Sequence, residues 1–310
     1  MDEKAYRALR EGAAFLDLSA RGKIKLTGED RARLLHAMTT NHIQQLQPGD
    51  GCYVYFLNAQ GRILADANVF CLEGQFLLDT EPETREKIYQ HLDKFIIADD
   101  AALEDVTAEL ATVAVEGPRS GEMLRALGAP VPGKAFGIAE WDATLVAECG
   151  VTGAEGYLLF VPAGRKAETI ERLGSAGAAQ GDAEAFRVVR LEHGKPRYGE
   201  EITERYLAQE TNQPHALNFQ KGCYLGQEIV ERVRSRGQIH RVLLPLDLET
   251  GLPPDPGVKL TADGKPAAEI ASAVYSPGRD KVVALAYVRV EYSQPGTRLA
   301  LGDVAAVVRG

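Results

Sequence analysis

Apolar positions recur along this chain with two different spacings, which predict short helices and short strands in alternation. Leu34, Leu35 and Met38 follow the helical spacing after a turn at residues 27–30. Residues 52–57 are rich in aromatic and β-branched side chains, which favour a strand. The turn residues at 58–61 then predict a hairpin whose second strand runs over 62–71.

The middle of the chain continues the alternation. Apolar residues at helical spacing predict helices over 83–95, 118–127 and 165–173, and Asp182 is a candidate N-cap for another helix that reaches position 192. Strands and helices alternate in short blocks joined by hairpins. This order indicates α+β layers and not one doubly wound parallel sheet.

Beyond residue 240 the pattern changes to short apolar segments separated by glycine and proline turns. Such a run of short strands predicts a small antiparallel β-barrel over residues 241–310. We therefore expect a domain boundary near residue 240, with an α+β region over residues 1–240.

Composition limits the classes of function. The 310 residues are 45% hydrophobic and 25% charged, with a net charge of -9, which is typical of a soluble globular protein and argues against nucleic-acid binding. The N-terminus is charged, and no apolar run is long enough to cross a bilayer, so we expect no membrane association and a cytoplasmic location. The four cysteines and six histidines show no metal-ligand spacing, so no protein-ligated metal is expected.

Residues 221–228, Lys-Gly-Cys-Tyr-Leu-Gly-Gln-Glu, place a lysine, a cysteine, a tyrosine and two carboxamide or carboxylate side chains in one short segment. The two glycines permit a tight turn, and the apolar spacing after them predicts a helix over 225–235. Cys223 and Tyr224 are then presented just before the first helical turn. A helix N-terminus and the nearby Lys221 favour the thiolate of such a cysteine. The alternative from spacing alone is a small buried residue that fills space.

Two further features are candidates for function. Asp66 lies among apolar neighbours in the strand after the hairpin, and a buried carboxylate without a partner is costly. Asp66 therefore either faces solvent or binds something specific. The polar segment 194–218, which leads into the cysteine motif, is long for a loop in a compact domain, and such loops are usually functional or mobile.

The 221–228 motif resembles the signature of the YgfZ folate-binding proteins, relatives of the glycine-cleavage T-protein (aminomethyltransferase). Five other segments follow in family order, at 27–35, 61–66, 116–118, 152–156 and 190–199. The resemblance implies an α+β fold of three lobes around a channel that holds tetrahydrofolate or a one-carbon-substituted folate. Two intertwined lobes would then occupy residues 1–240, and the antiparallel barrel residues 241–310.

The same resemblance implies roles for individual residues. Asp66 matches the T-protein acid that assists at a folate nitrogen, and Glu192 matches the acid that grips the pterin ring. Cys223 and Asp66 are the candidates for catalysis. The candidates for folate binding are Asp66, Glu192, Lys221, Tyr224, Gln227, Glu228 and Arg236. Arg236 belongs to a group of arginines together with Arg232, Arg234 and Arg241. Any of the four could hold the carboxylates of the folate tail.

Three functions stay open at this point, and they differ in whether the protein is an enzyme. The first is an accessory protein that supports iron–sulfur cluster assembly or repair through Cys223, with assembly or client proteins as partners. The second is a folate-dependent aminomethyltransferase, and the third is a sensor or scaffold with folate as a structural ligand. Ala65 and Asp79 stand where T-proteins tend to carry an aspartate and a folate-contacting asparagine, and these departures favour the first hypothesis.

Overall fold

The computed structural model describes residues 1–237 and 239–310. Within these ranges the α-helices are α1 (Glu3–Glu11), α2 (Arg31–Met38), α3 (Arg85–Asp93), α4 (Ser120–Ala126), α5 (Lys166–Ser175), α6 (Ala183–Glu192) and α7 (Gln227–Arg236). The strands before residue 240 are β1 (Ala14–Asp17), β2 (Gly22–Thr27), β3 (Gly51–Leu57), β4 (Ile63–Leu72), β5 (Gln75–Thr80), β6 (Ala102–Asp105), β7 (Leu110–Glu116), β8 (Ile138–Trp141), β9 (Thr144–Ala147), β10 (Gly156–Pro162) and β11 (Ala179–Gln180). The later strands are β12 (Arg241–Leu248), β13 (Lys259–Ala262), β14 (Lys265–Ser276), β15 (Lys281–Arg289), β16 (Arg298–Leu301) and β17 (Val304–Val308).

The strands form two open sheets and one closed barrel. One sheet has the order β11-β1-β7-β10-β9-β8, and the second has the order β3-β4-β5-β2-β6. The chain enters the first sheet, builds the whole second sheet, and then returns to complete the first, so the two sheets are intertwined along the sequence. The barrel closes in the order β12-β15-β14-β13-β16-β17 through antiparallel pairs. The predicted α+β fold with a C-terminal antiparallel barrel is confirmed, whereas the domain boundary near residue 240 stays a proposal.

Helix α6 connects the layers. Asp182 caps it by accepting a hydrogen bond from the backbone N–H of Ala185 at 2.7 Å, as its position in the sequence predicts. Its apolar residues Phe186 and Val189 are buried in the same core cluster as residues of α1 and of the first sheet. The other end of α6 contacts strands β14 and β15 of the barrel. Residues on α6 therefore lie where both parts of the chain meet.

Helix α7 begins two residues later than the apolar spacing predicts. Gly226, which precedes it, has a φ of +84°, a conformation that L side chains rarely adopt. A Cβ at this position would also lie 2.6 Å from the carbonyl oxygen of Asn58. The glycine is therefore required both by its backbone angle and by the close approach of the β3–β4 turn.

Among the described residues, no helix is both long enough and apolar enough to span a bilayer.

Candidate functional site

A cavity of about 420 Å³ opens where β4, α6 and the 194–218 segment meet. Its volume is in the range of small-molecule binding sites. The walls combine apolar side chains such as Leu16 and Phe186 with charged groups such as Asp66 and Arg190. A depression of about 500 Å³ beside α1 is more open to solvent, and half of its lining residues are exposed charged side chains, so the less open cavity is the better candidate.

Asp66 lies in the wall of this cavity and is only 7% exposed. The Tyr53 hydroxyl donates a hydrogen bond to its carboxyl group at 2.6 Å. Burial raises the pKa of Asp66 to about 7, and the negative charge of Glu81 adds to this, whereas the Tyr53 hydrogen bond and the charges of Arg21 and Arg197 oppose it. Such a carboxyl group can hold or release a proton near neutral pH, which is the property required of a general acid or base.

An aromatic wall lies beside this pair. The His215 ring is 5.4 Å from the Tyr53 ring and 6.2 Å from the Phe136 ring, and all three residues line the cavity. The Asn41 side-chain amide donates to the backbone oxygens of both Tyr53 and His215, which holds the strand and the loop together. A flat heterocycle can pack against these rings.

Five cations line the cavity: Arg21, Arg187, Arg190, Lys195 and Arg197. Several of them are compensated by carboxylates. The Arg21 guanidinium donates to Asp79 and Glu81, while Arg190 donates to Glu200 and Glu201. The opposite charges allow these groups to stay charged although they are largely buried.

The segments at 116–118 and 152–156 meet at one wall of the cavity. The buried carboxylate of Glu116 accepts hydrogen bonds from the backbone N–H groups of Val151 and Thr152 and from the Thr152 hydroxyl. The Lys195 ammonium donates to the backbone oxygen of Gly150. Glu116 and Lys195 thus hold the turn whose residues Gly150 and Val151 line the cavity.

The cysteine motif lies outside the lining of this cavity. Cys223 is exposed, and Lys221 is buried with its ammonium donating to the backbone oxygens of His36 and Thr39 at the end of α2. The same ammonium lies 4.7 Å from the centre of the Tyr224 ring. Burial lowers the pKa of Lys221 to about 7. Lys221 therefore anchors the motif to α2 through two backbone carbonyl groups, and it also contacts the Tyr224 ring.

The other predicted binding residues also lie outside the lining. Gln227 opens α7, Glu228 is exposed and pairs with Arg232, and Arg236 is exposed at the end of the helix. The predicted rim of arginines on α7 is therefore not the source of the positive charge around the cavity.

Glu192 also lies elsewhere. Its buried carboxylate accepts hydrogen bonds from the hydroxyls of Tyr6 and Ser276 and from the guanidinium of Arg10, and so connects α6, the barrel and α1. A pterin held by Glu192 would have to replace these donors. Of the predicted site residues, the structure brings only Asp66 into the cavity wall.

The site also contains residues that no sequence motif indicated: Arg21, Tyr53, Asn68 and His215. The predicted hairpin contained a partial signal, because strands β3 and β4 pair in the structure. A register shift at Phe56 and Leu57 places Tyr53 opposite Asn68 and Tyr55 opposite Asp66. Directly opposed residues share one face of a sheet, so Tyr53, Asp66 and Asn68 all face the cavity side.

The fold and the cavity together define a class: an α+β protein with a closed C-terminal barrel and a cavity of small-molecule size. Two family models match the chain, the GCVT N-terminal domain over residues 2–221 and the glycine cleavage T-protein C-terminal barrel domain over residues 241–305. The chain therefore belongs to the glycine cleavage T-protein family.

Individual relatives agree with this assignment. The chain is 29% identical to an aminomethyltransferase of Streptomyces coelicolor over 96% of its own length and 83% of the relative's. It is 26% identical to a chloroplastic protein of Arabidopsis thaliana named as a transferase, over 99% of this chain and 72% of that protein. The crystal structure of the glycine cleavage system aminomethyltransferase T of Bartonella henselae has the same fold, with a TM-score of 0.90 at 22% identity over 99% of this chain and 88% of that one.

Proposed function

We propose that this protein binds tetrahydrofolate, or a one-carbon-substituted form of it, in the cavity beside Asp66. The observation that carries the proposal is the buried Asp66–Tyr53 pair, whose carboxyl group has a pKa of about 7 and lies next to an aromatic wall. Family membership and the similarity to aminomethyltransferases support the same ligand. Tetrahydrofolate supplies the nitrogen atoms that carry one-carbon units, and Asp66 would hold or accept a proton beside them.

The residues of the cavity fit the chemistry of this ligand. The rings of Tyr53, Phe136 and His215 offer a surface for a flat pterin or aminobenzoyl ring. Carboxyl oxygen atoms can accept hydrogen bonds from the N–H groups of a pterin. Cationic side chains of the lining, including Arg187 and Lys195, carry the charge opposite to that of a glutamyl tail.

Purified protein is expected to be stabilised by tetrahydrofolate, because a ligand that binds only the native state raises its stability by mass action. At a ligand concentration of about 100 times Kd, the gain is about 2.7 kcal/mol. His215→Ala should weaken binding roughly 3- to 10-fold, because one aromatic contact of about 0.5–1.5 kcal/mol is lost. Thermal-shift titration and calorimetry measure both effects.

The matched control is His240→Ala, since His240 is exposed and does not line the cavity. This variant should bind like the wild type. The absence of a shift with tetrahydrofolate and its one-carbon derivatives would refute the proposal.

A second proposal concerns the cysteine motif, which is similar to that of the YgfZ proteins. Cys223 is exposed on a loop next to Gly222, and the loop is held by Lys221, so the thiol is accessible to another protein. A thiolate is a soft ligand for iron as well as a nucleophile. We propose that the protein supports iron–sulfur cluster assembly or repair in the cytoplasm through this thiol, in addition to binding folate.

Cys223→Ser should abolish the support of iron–sulfur enzymes in cells that lack the native protein, while the affinity for tetrahydrofolate stays within about twofold, because Cys223 lies outside the cavity lining. Enzyme activities in complemented cells and calorimetry on the purified variant provide the two readouts. Cys52→Ala, a half-buried thiol on β3, serves as the control.

Full complementation by the Cys223→Ser variant would exclude the thiol role. Ammonia release from an aminomethyl-lipoyl carrier protein in the presence of tetrahydrofolate would instead favour the alternative function, a folate-dependent aminomethyltransferase.

A further inference from the structure

Asn68 occupies the centre of the polar wall of the cavity, and none of the functions above uses it. It follows Asp66 by two residues on β4, so the two side chains share one face of the sheet. Its neighbours in register are Tyr53 on β3 and Asp79 on β5. Asn68 is 9% exposed and lines the cavity.

The orientation of the Asn68 amide is determined by a buried ion pair behind it. Asp79 is fully buried and accepts two hydrogen bonds from the Arg21 guanidinium, at 2.8 Å and 2.9 Å. It also accepts one from the Asn68 side-chain nitrogen at 2.9 Å. A carboxylate can only accept, so the NH₂ group of Asn68 must face Asp79 and the amide oxygen must point the other way.

The amide oxygen is therefore available to a ligand. Among the described residues, no protein donor lies within hydrogen-bond distance of this oxygen. The oxygen is also not among the fully buried polar atoms that lack a partner, so it is exposed to the cavity. It faces the same space as the Asp66 carboxyl group. The structure thus presents an acceptor of fixed direction beside the group that handles a proton.

We infer that Asn68 determines specificity for the reduced form of the pterin, an inference that rests on the proposed binding of tetrahydrofolate. A reduced pterin ring carries N–H groups at positions where the oxidised ring has nitrogen lone pairs. The Asn68 oxygen accepts a hydrogen bond from such an N–H group. It faces a lone pair when the ligand is oxidised, and the Arg21–Asp79 pair prevents the amide from turning over to offer its NH₂ group.

A site built to pair with an N–H group rejects a ligand that lacks it far more strongly than an apolar site does, because a buried polar group is then left unpaired. Asp79 acquires a role through the same geometry. It stands where the resemblance led us to expect a folate-contacting asparagine, but it is fully buried and acts on the ligand only through Asn68.

The test compares the dissociation constants of tetrahydrofolate and folic acid. Wild-type protein is expected to prefer tetrahydrofolate by at least 100-fold. Asn68→Leu, which is similar in size but has no acceptor, should lose at least about 10-fold in affinity for tetrahydrofolate and none for folic acid, so that the preference falls by at least that factor. Gln294→Leu, on an exposed turn of the barrel, should leave both constants unchanged.

A second variant distinguishes the loss of the acceptor oxygen from a loss of the fold. Asn68→Gln keeps an amide group on β4 and leaves the Arg21–Asp79 pair intact, so it should keep more of the preference for tetrahydrofolate than Asn68→Leu does. Ligand-free melting of each variant checks that it is folded.

The outcomes separate the two proposals. If wild-type protein binds neither folate, the proposed function fails and this inference fails with it. If wild-type protein binds tetrahydrofolate selectively and Asn68→Leu keeps the same selectivity, only the role of Asn68 is overturned.

Discussion

Replacing Arg21 by methionine is expected to lower the free energy of unfolding by about 3–5 kcal/mol. Arg21 and Asp79 are 8% and 0% exposed, and their bidentate pair is shielded from water. Removing the guanidinium leaves the buried Asp79 carboxylate without the cation that donates two hydrogen bonds to it, and this loss of compensation accounts for the effect. Urea denaturation with a two-state fit measures the change.

The control for this prediction is Arg119→Met, because Arg119 pairs with Glu122 on the surface, where both side chains are about two-thirds exposed. Its effect should stay below about 1 kcal/mol. The double variant Arg21→Met with Asp79→Leu should be more stable than Arg21→Met alone, since it no longer contains the Asp79 carboxylate that has lost its hydrogen-bonded guanidinium. Equal effects of the buried and the exposed arginine would contradict the assignment of this pair as a structural element of the cavity wall.

Wild-type protein is expected to lose stability relative to Asp66→Asn as the pH rises from about 4 to about 7. Below this window Asp66 is protonated in both states of the chain. Within it the folded chain keeps a proton that the unfolded chain has released, because burial raises the pKa of Asp66 from 3.8 to about 7. The unfolded state then binds fewer protons, so the free energy of unfolding falls with pH. At 1.36 kcal/mol per pKa unit, the difference reaches roughly 2–4 kcal/mol.

Chemical denaturation at several pH values measures this difference between the two proteins, and taking the difference removes the contributions of other titrating groups. Tyr53→Phe provides the informative companion. It deletes the hydrogen bond that lowers the pKa of Asp66, so the midpoint of the pH dependence should move upward. Parallel stability curves for wild type and Asp66→Asn would show that burial does not raise the pKa of Asp66 in the folded protein.

Much of the fold followed from local patterns. The helical spacing around Leu34, the cap at Asp182 and the short strands after residue 240 each correspond to an element of the structure. These signals are local, since they depend on which side chains share a face and which residue can satisfy the first N–H groups of a helix. The cysteine motif was also recognisable, because its residues are adjacent in sequence.

The cavity was much less accessible to sequence reasoning, because its groups come from distant parts of the chain. Arg21, Phe136, Arg190 and His215 meet only after the two sheets have formed and α6 has packed against them. Glu192 illustrates the converse case. The family resemblance implied a ligand contact, but helix α1 and the barrel supply the donors that occupy its carboxylate.

The sequence by itself determined that residues 52–57 and 62–71 form a hairpin and that Asp66 lies within its second strand. It did not determine which face Asp66 occupies. With regular pairing from the turn at 58–61, Tyr55 would lie opposite Ala65, and Asp66 would point away from Tyr53. The register shift at Phe56 and Leu57 adds one residue to β4 and puts Asp66 opposite Tyr55. Because side chains alternate across a strand, this single extra residue turns Asp66 and Asn68 toward the cavity, and only packing in the folded protein selects it.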